Sequence, residues 1–331
     1  MAPDPVGPAR VAAVLTLAAL TVGLAACSGS RGGGTSSGHA APKPVTPGSA
    51  GAPGSTASAS TTPGRTASGS ASPSGPSSAS PAPAGGGPAW LVTRAALATL
   101  SADPAVGDMM RRSAVYQLLQ PGQQPLPGMT TRQVVTFSSA SALTEAVTGR
   151  KLPAGTYGVL YDPEAWSFTP KEEQRDPVAA ATRAADVAHA HGLKFMVSPA
   201  LNLVTVLNPG GKGPRWKQFL DLGLPGRFAA VADVVELQAQ SLERDRSTYA
   251  DFVRAAVGQV RSANSRAGIL AGLSSNPPGA PVSSQHLADA MSSTRSLVDG
   301  YWLNIPGKGP RCPTCNPPRP DVAIQAMRAA G

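Results

Sequence analysis

The sequence predicts an α/β fold, a (β/α)8 TIM-type barrel with one strand missing from the pattern or replaced, placed after a disordered linker. Three observations predict it. From residue 114 onward, short runs rich in β-branched and aromatic residues alternate with helical stretches, giving seven strand candidates. No G-x-G-x-x-G follows the first of them, which removes the main sign of an open dinucleotide-binding sheet. The run DVVELQAQ at 233–240 alternates Val235, Leu237 and Ala239 with Glu236, Gln238 and Gln240. One face can pack on helices, and the other must point into a barrel and its upper mouth.

An alanine-rich segment from Ala89 leads to strand 114–119 and, after a Pro/Gly turn, strand 133–137. Cap-type Ser139 opens a helix over 139–147, and strand 157–161 follows. Asp176-Pro177 reads as an N-cap and first helical position for a helix that Gly192 stops. The order continues with strand 193–198, a short helix at 216–222, strand 234–239 and helix 247–262. Strand 269–273, a helix from 283 or 284 to 298, strand 301–304 and a terminal helix 322–330 complete it.

The N-terminal quarter is of another kind. Arg10 precedes an uncharged apolar run at 11–24, too short to span a bilayer but right for the core of an export signal. It ends in Leu24-Ala25-Ala26-Cys27, which resembles the lipobox of bacterial lipoproteins. The resemblance implies a signal peptide over 1–26, lipidation of Cys27 and anchoring at the extracytoplasmic face of the cell membrane. An ordinary secretory signal cleaved near Ala25 and Ala26 is the alternative. Over 28–88, only Arg31, His39, Lys43, Val45 and Arg65 are not Gly, Ser, Ala, Thr or Pro. Such a segment has nothing to bury against its ordering entropy. As a flexible tether it spans on the order of 40–50 Å. The division is therefore signal 1–26, lipidated cysteine and linker 27–88, and barrel domain 89–331.

Of the 28 basic and 19 acidic residues, four basic and one acidic precede Ala89, which leaves the domain a moderate excess of +6. No run of lysine and arginine interleaved with aromatics is present, so nucleic acid is not an expected partner. Acidic wall polymers or anionic headgroups suit this charge better, and a monomer is expected. Cys312 and Cys315 form a C-x-x-C in a proline-rich loop. In an exported protein they read as a disulfide staple, since a redox pair would need a helix N-terminus at the first cysteine. No second pair with zinc-ligand spacing exists, and neither metal nor cofactor is expected. His189 and His191 are two apart on a helix, which separates their faces. The similar loops at 207–215 and 303–311, both expected to follow strands on one barrel face, bring Lys212, Arg215, Lys308 and Arg311, which suit an anionic glycan or phosphate, or merely solvate two turns.

Polar residues gather at the predicted C-terminal strand ends: Asp162, Glu164 and Trp166; Ser198 and Asn202; Glu236, Gln238 and Gln240; Ser274, Ser275 and Asn276; Trp302 and Asn304. Tryptophan faces, amides and paired carboxyls are the composition of a saccharide site. A strand ending in D-x-E, a later strand ending in a carboxylate and a last strand carrying tryptophan resemble glycoside-hydrolase barrels, including the chitinase-like group. That resemblance implies Glu164 as general acid, Asp162 as its partner, a substrate acetamide as nucleophile and Trp302 as the floor of the sugar subsite. Here Pro163 separates the acids and the fuller D-x-x-D-x-D-x-E run is absent. A two-carboxylate mechanism would instead pair Glu164 or Asp162 with Glu236, about 5–5.5 Å apart for retention or 6.5–9.5 Å for inversion. Whether the domain is an enzyme stays open at this point. A non-catalytic saccharide-binding protein and a structural envelope protein use the same residues, with Glu236 as an internal charge and Asp162 as a loop cap.

Overall fold

The fold is that of a computed structural model, which describes residues 87–309, 312 and 317–330. The signal, Cys27 and linker readings, Arg311 and Cys315 lie outside the described residues. The chain forms β1 (Ala89–Thr93), α1 (Arg94–Ser101), α2 (Pro104–Arg112), β2 (Val115–Leu119), β3 (Arg132–Phe137) and α3 (Ala140–Thr148). Next come β4 (Gly158–Tyr161), α4 (Lys171–Arg175), α5 (Pro177–Ala190), β5 (Lys194–Val197), a 3-10 turn at Leu201–Leu203, α6 (Val204–Leu207), α7 (Arg215–Asp221) and α8 (Leu224–Ala229). β6 (Val234–Leu237), α9 (Arg246–Ala263), β7 (Gly268–Ser274), α10 (Ser284–Thr294), β8 (Gly300–Asn304) and α11 (Pro320–Ala330) complete the order.

The eight strands pair in parallel in sequence order, and β8 returns to β1, so the sheet is a closed (β/α)8 barrel. The strand absent from the sequence pattern is β1. Thr93 ends it and at once caps α1, its hydroxyl accepting from the Ala96 N–H at 3.2 Å. No turn separates the two elements, so five strand residues merge into the alanine-rich helix that follows. At the β8–β1 seam a side chain on Gly300 would begin 2.1 Å from the Ala89 carbonyl oxygen. Glycine is what lets the two backbones meet there.

Alternation along the strands divides the core in two. Leu91, Leu118, Val134, Leu160, Met196, Leu270 and Trp302 fill the barrel. Val92, Leu119, Val135, Val159, Phe195, Val235 and Ile269 face the helices in a second apolar layer. The lower end carries a stack of another kind: the Arg132 guanidinium lies 5.3 Å from the ring centres of both Tyr116 and Tyr157 and donates to the Tyr116 hydroxyl at 2.9 Å. Ring faces and a phenol oxygen thus satisfy a charge inside the sheet.

The segment after β4 is held by α4. The buried Glu173 carboxyl accepts from the Ala140 and Ser141 N–H groups at 2.8 and 3.1 Å, at the start of α3, and from the Tyr161 hydroxyl at 3.0 Å. Gln174 Nε2 donates to the carbonyls of Trp166 and Thr169, both at 2.6 Å. These contacts fix the loop that carries Glu164 and Trp166. Among the described residues no helix is long and apolar enough to cross a membrane.

Candidate functional site

At the C-terminal ends of the strands the barrel interior turns from apolar to polar. Asp162, Ser198 and Glu236 are buried there, Glu236 with no exposure at all, and Trp302 lies with them at 7%. Partly exposed Glu164, Trp166, Asn202, Gln238, Gln240 and Asn304 follow the same strand ends. The structure therefore places the predicted acids, amides and tryptophans at one end of one barrel, some as a buried floor and others as a half-open rim.

A chain of hydrogen bonds links the floor. Ser198 Oγ donates to Glu236 Oε2 at 2.6 Å. Gln238 Nε2 donates to Asp162 Oδ1 at 2.9 Å, and it approaches the Ser198 carbonyl and hydroxyl oxygens at 3.0 and 3.1 Å. Glu236 and Asp162 are thereby joined through one serine and one amide. Glu164 is held from the next loop: Asn202 Nδ2 donates to its Oε2 at 3.3 Å, and Asn202 Oδ1 accepts from the Ala165 N–H at 2.8 Å. The two acids flanking Pro163 are thus aimed at different partners. Burial pushes the Glu236 carboxyl well above the ordinary carboxylate range; the serine bond pulls it back, and the charges of Asp162 and Glu164 push it up again.

Two buried polar atoms here have no hydrogen-bond partner among the described residues, Glu236 Oε1 and Trp302 Nε1. Leaving such atoms unpaired is costly, so a buried pair of them marks a place where a polar guest is favoured. Gly272 makes the room. It sits in register with Trp302, and a Cβ added to it would lie 2.5 Å from Glu236 Oε1 and 2.6 Å from the Gln240 side-chain amide. The Tyr249 hydroxyl braces the same residue from the helix side, donating to the Gly272 carbonyl at 3.1 Å. Gly272→Ala should therefore displace both side chains, costing roughly 1–3 kcal/mol of stability and weakening any ligand bound in the mouth. Urea melts alongside ligand titration check this, and a variant matching the wild type in both would remove Gly272 from the site.

Sequence reasoning missed a further buried acid, Glu243. It lies in the turn after β6, 1% exposed, with Oε1 accepting from the Ser274 N–H at 2.7 Å and Oε2 unpartnered among the described residues. Burial pushes its carboxyl up to about 7, against the pull of the backbone N–H groups of Glu243, Ser274 and Ser241. The turn is strained, since Ser241 adopts φ +80°. In sequence, LERDRS at 242–247 reads as a solvated charged loop, and the positive φ on a serine leaves no mark. The signal for Gly272 was available, because a glycine inside a strand often marks close approach of another group.

Other predicted residues take more local partners. Trp166 Nε1 donates to Thr169 Oγ1 at 3.0 Å, and its ring meets Phe168 edge-on at 5.0 Å, with Phe168 43% exposed. Asn276 Nδ2 reaches the carbonyls of Pro306 and Pro317 at 3.3 and 3.4 Å and so braces the loop after β8. β6 ends at Leu237, two residues before the expected end, so Gln240 reaches the mouth from a turn and not from the strand. The Asn304 carbonyl accepts from the Ser275 N–H at 3.0 Å at the top of β8. Of the two similar loops, the one at 208–214 follows α6 and not a strand. His189 pairs with Asp233 at 2.9 Å, and His286 completes a capping box with Ser283. Among the described residues no three His, Cys, Asp or Glu side chains are placed to hold a metal ion.

No protein-family model matches the chain, and no curated protein is detectably similar to it. Solved structures similar in arrangement include a chitinase from Chromobacterium violaceum, 13% identical, covering 73% of this chain and 98% of that one with a TM-score of 0.41. The PgaB glycoside hydrolase domain from Bordetella bronchiseptica is 12% identical over 66% of this chain and 94% of that one, with a TM-score of 0.39. A sugar phosphate isomerase/epimerase from Parabacteroides distasonis is 10% identical over 75% and 96%, with a TM-score of 0.41. At these scores the likenesses bear no weight for function.

Proposed function

We propose that this chain is a lipid-anchored, extracytoplasmic barrel protein whose upper mouth binds a saccharide, and that Glu236 is its proton donor. One observation carries the reading: a fully buried carboxyl at a strand's C-terminal end, with one oxygen on Ser198 and the other unpartnered among the described residues, facing the space that Gly272 leaves open. Burial next to other carboxyls raises the proton affinity of this acid, the direction that general acid catalysis of glycosidic cleavage requires. In this reading Glu236, and not Glu164, is the acid, and Asp162 or Glu164 is the partner carboxylate. Trp302 floors the sugar, while Gln238 and Asn202 set the two acids and Gln240 and Asn304 line the rim. The anchor rests on the Leu24-to-Cys27 lipobox, and a Cys312–Cys315 disulfide belongs to the same exported setting.

The complete burial of Glu236 favours a second reading, a saccharide-binding barrel in which this carboxyl is a fixed internal dipole that never meets a leaving group. One experiment separates them. The full chain is incubated with β-linked amino-sugar and neutral oligosaccharides while calorimetry reads binding and a reducing-end assay reads cleavage. Binding with release of new ends is the expected result; binding without release leaves the module, and the absence of both sinks the saccharide assignment.

A further inference from the structure

The opposite, N-terminal face of the barrel holds a cavity of about 1070 Å³ between the starts of β1 and β2 and the helices α2, α10 and α11. Its accessible apolar lining includes half-buried Met109 and Ala288, with buried Trp90 and Met291 behind them, and four arginines line it: Arg111, Arg112, Arg132 and Arg295. No aspartate or glutamate among the described residues does so. Of the four, Arg111 has a carboxylate partner, its exposed neighbour Asp108. Arg295 donates to the Ala330 carbonyl at 3.2 Å, and Arg132 is spent on Tyr116 and the two rings. Arg112 makes no hydrogen bond or ion pair within the described residues. The buried Trp90 Nε1 also lacks a partner there.

Arg112 and Arg295 have no carboxylate partner among the described residues, and positive charge of this kind in a concave, partly apolar space focuses the field and attracts an anion. Guanidinium forks fit oxyanions, and two separate forks suit a head with three oxygens better than one with two. The apolar wall adds affinity for a hydrocarbon body. We propose that this cavity binds a phosphate-headed amphiphile, one molecule with an organic phosphate at the arginines and its apolar part against Met109 and Ala288. The site lies at the end of the barrel away from Glu236 and does not depend on the reading of the mouth.

The test uses the full chain and dodecyl phosphate below its micelle concentration, with tryptophan fluorescence as readout. Saturable binding should be at least about tenfold tighter than for inorganic phosphate or for a neutral dodecyl glycoside, since each of these lacks one half of the recognition. Combined Arg112→Ala and Arg295→Ala should weaken it by about tenfold or more, and Ala288→Trp, which fills the space from half-buried α10, should block it. Equal affinity for the neutral amphiphile, indifference to both variants, or no saturation would overturn the proposal. Vesicles of phosphatidylglycerol form the last arm: adsorption that survives Ala288→Trp, with no binding of the monomeric ligand, assigns the arginines to a flat charged surface and counts against the cavity.

Discussion

On a saccharide that the wild type cleaves, Glu236→Gln lowers turnover by about a thousandfold and leaves affinity within about threefold. The substitution keeps the shape of the side chain and an oxygen for the Ser198 hydroxyl, whose bond is 2.6 Å in the wild type. It removes only the transferable proton, and general acid catalysis is worth roughly 10²–10⁴ in rate. A loss confined to kcat marks an interaction made in the transition state, whereas a loss confined to KM marks ordinary binding. Asp162→Asn gives the contrast, because it also disturbs Gln238, which donates to Asp162 and Ser198. Turnover that survives Glu236→Gln moves the acid to Glu164 and revives the assignment the chitinase-like resemblance implies.

Glu243→Gln flattens the pH dependence of stability between about pH 5 and pH 8. The folded-state carboxyl sits at about 7 against an ordinary 4.5, chiefly through burial. A raised acid binds its proton more tightly in the folded protein, so its contribution is complete below 4.5 and is lost as pH rises through 7. A shift of this size corresponds to a loss on the order of 3 kcal/mol at alkaline pH. The glutamine cannot ionise and keeps an acceptor for the Ser274 N–H, so the variant should be the more stable protein at pH 8 and near the wild type at pH 5. Urea unfolding at the two pH values measures the difference, and Glu236, whose carboxyl is shifted in the same direction, contributes to the slope that remains in the variant. Identical slopes in both proteins would contradict a protonated, buried Glu243.

How much of this was legible beforehand depends on whether the signal was periodic. β4 through β8 were readable because apolar runs of four to seven residues stand between clear helix caps and glycines, as Asp176-Pro177 and Gly192 do around α5. β1 was not, because Thr93 serves as strand end and helix cap at once. In the site, Glu236 and Gln238 were visible as the polar half of a period-two pattern, and that pattern held up to Leu237. Gln240 kept its place at the mouth although the strand had already ended, since the turn brings it back toward Gly272. Asn202, expected at the ligand, also donates to Glu164, a side-chain contact across two loops that no local spacing encodes. Glu243 was hidden for the opposite reason: charged residues in a short polar turn look solvated, and only the tertiary fold buries one of them.

Burial raises the proton affinity of the Glu236 carboxyl inside the barrel mouth, the proposed proton donor would hold its proton at neutral pH, and carboxyl infrared difference spectroscopy tests this most directly. Spectra of the wild type and Glu236→Gln are recorded at neutral pH in light and heavy water and subtracted. The proposed role predicts a protonated-carboxyl band in the wild type that the variant lacks and that shifts on deuteration. A difference spectrum containing only ionised-carboxylate bands would contradict it, and with it the role of Glu236 as proton donor.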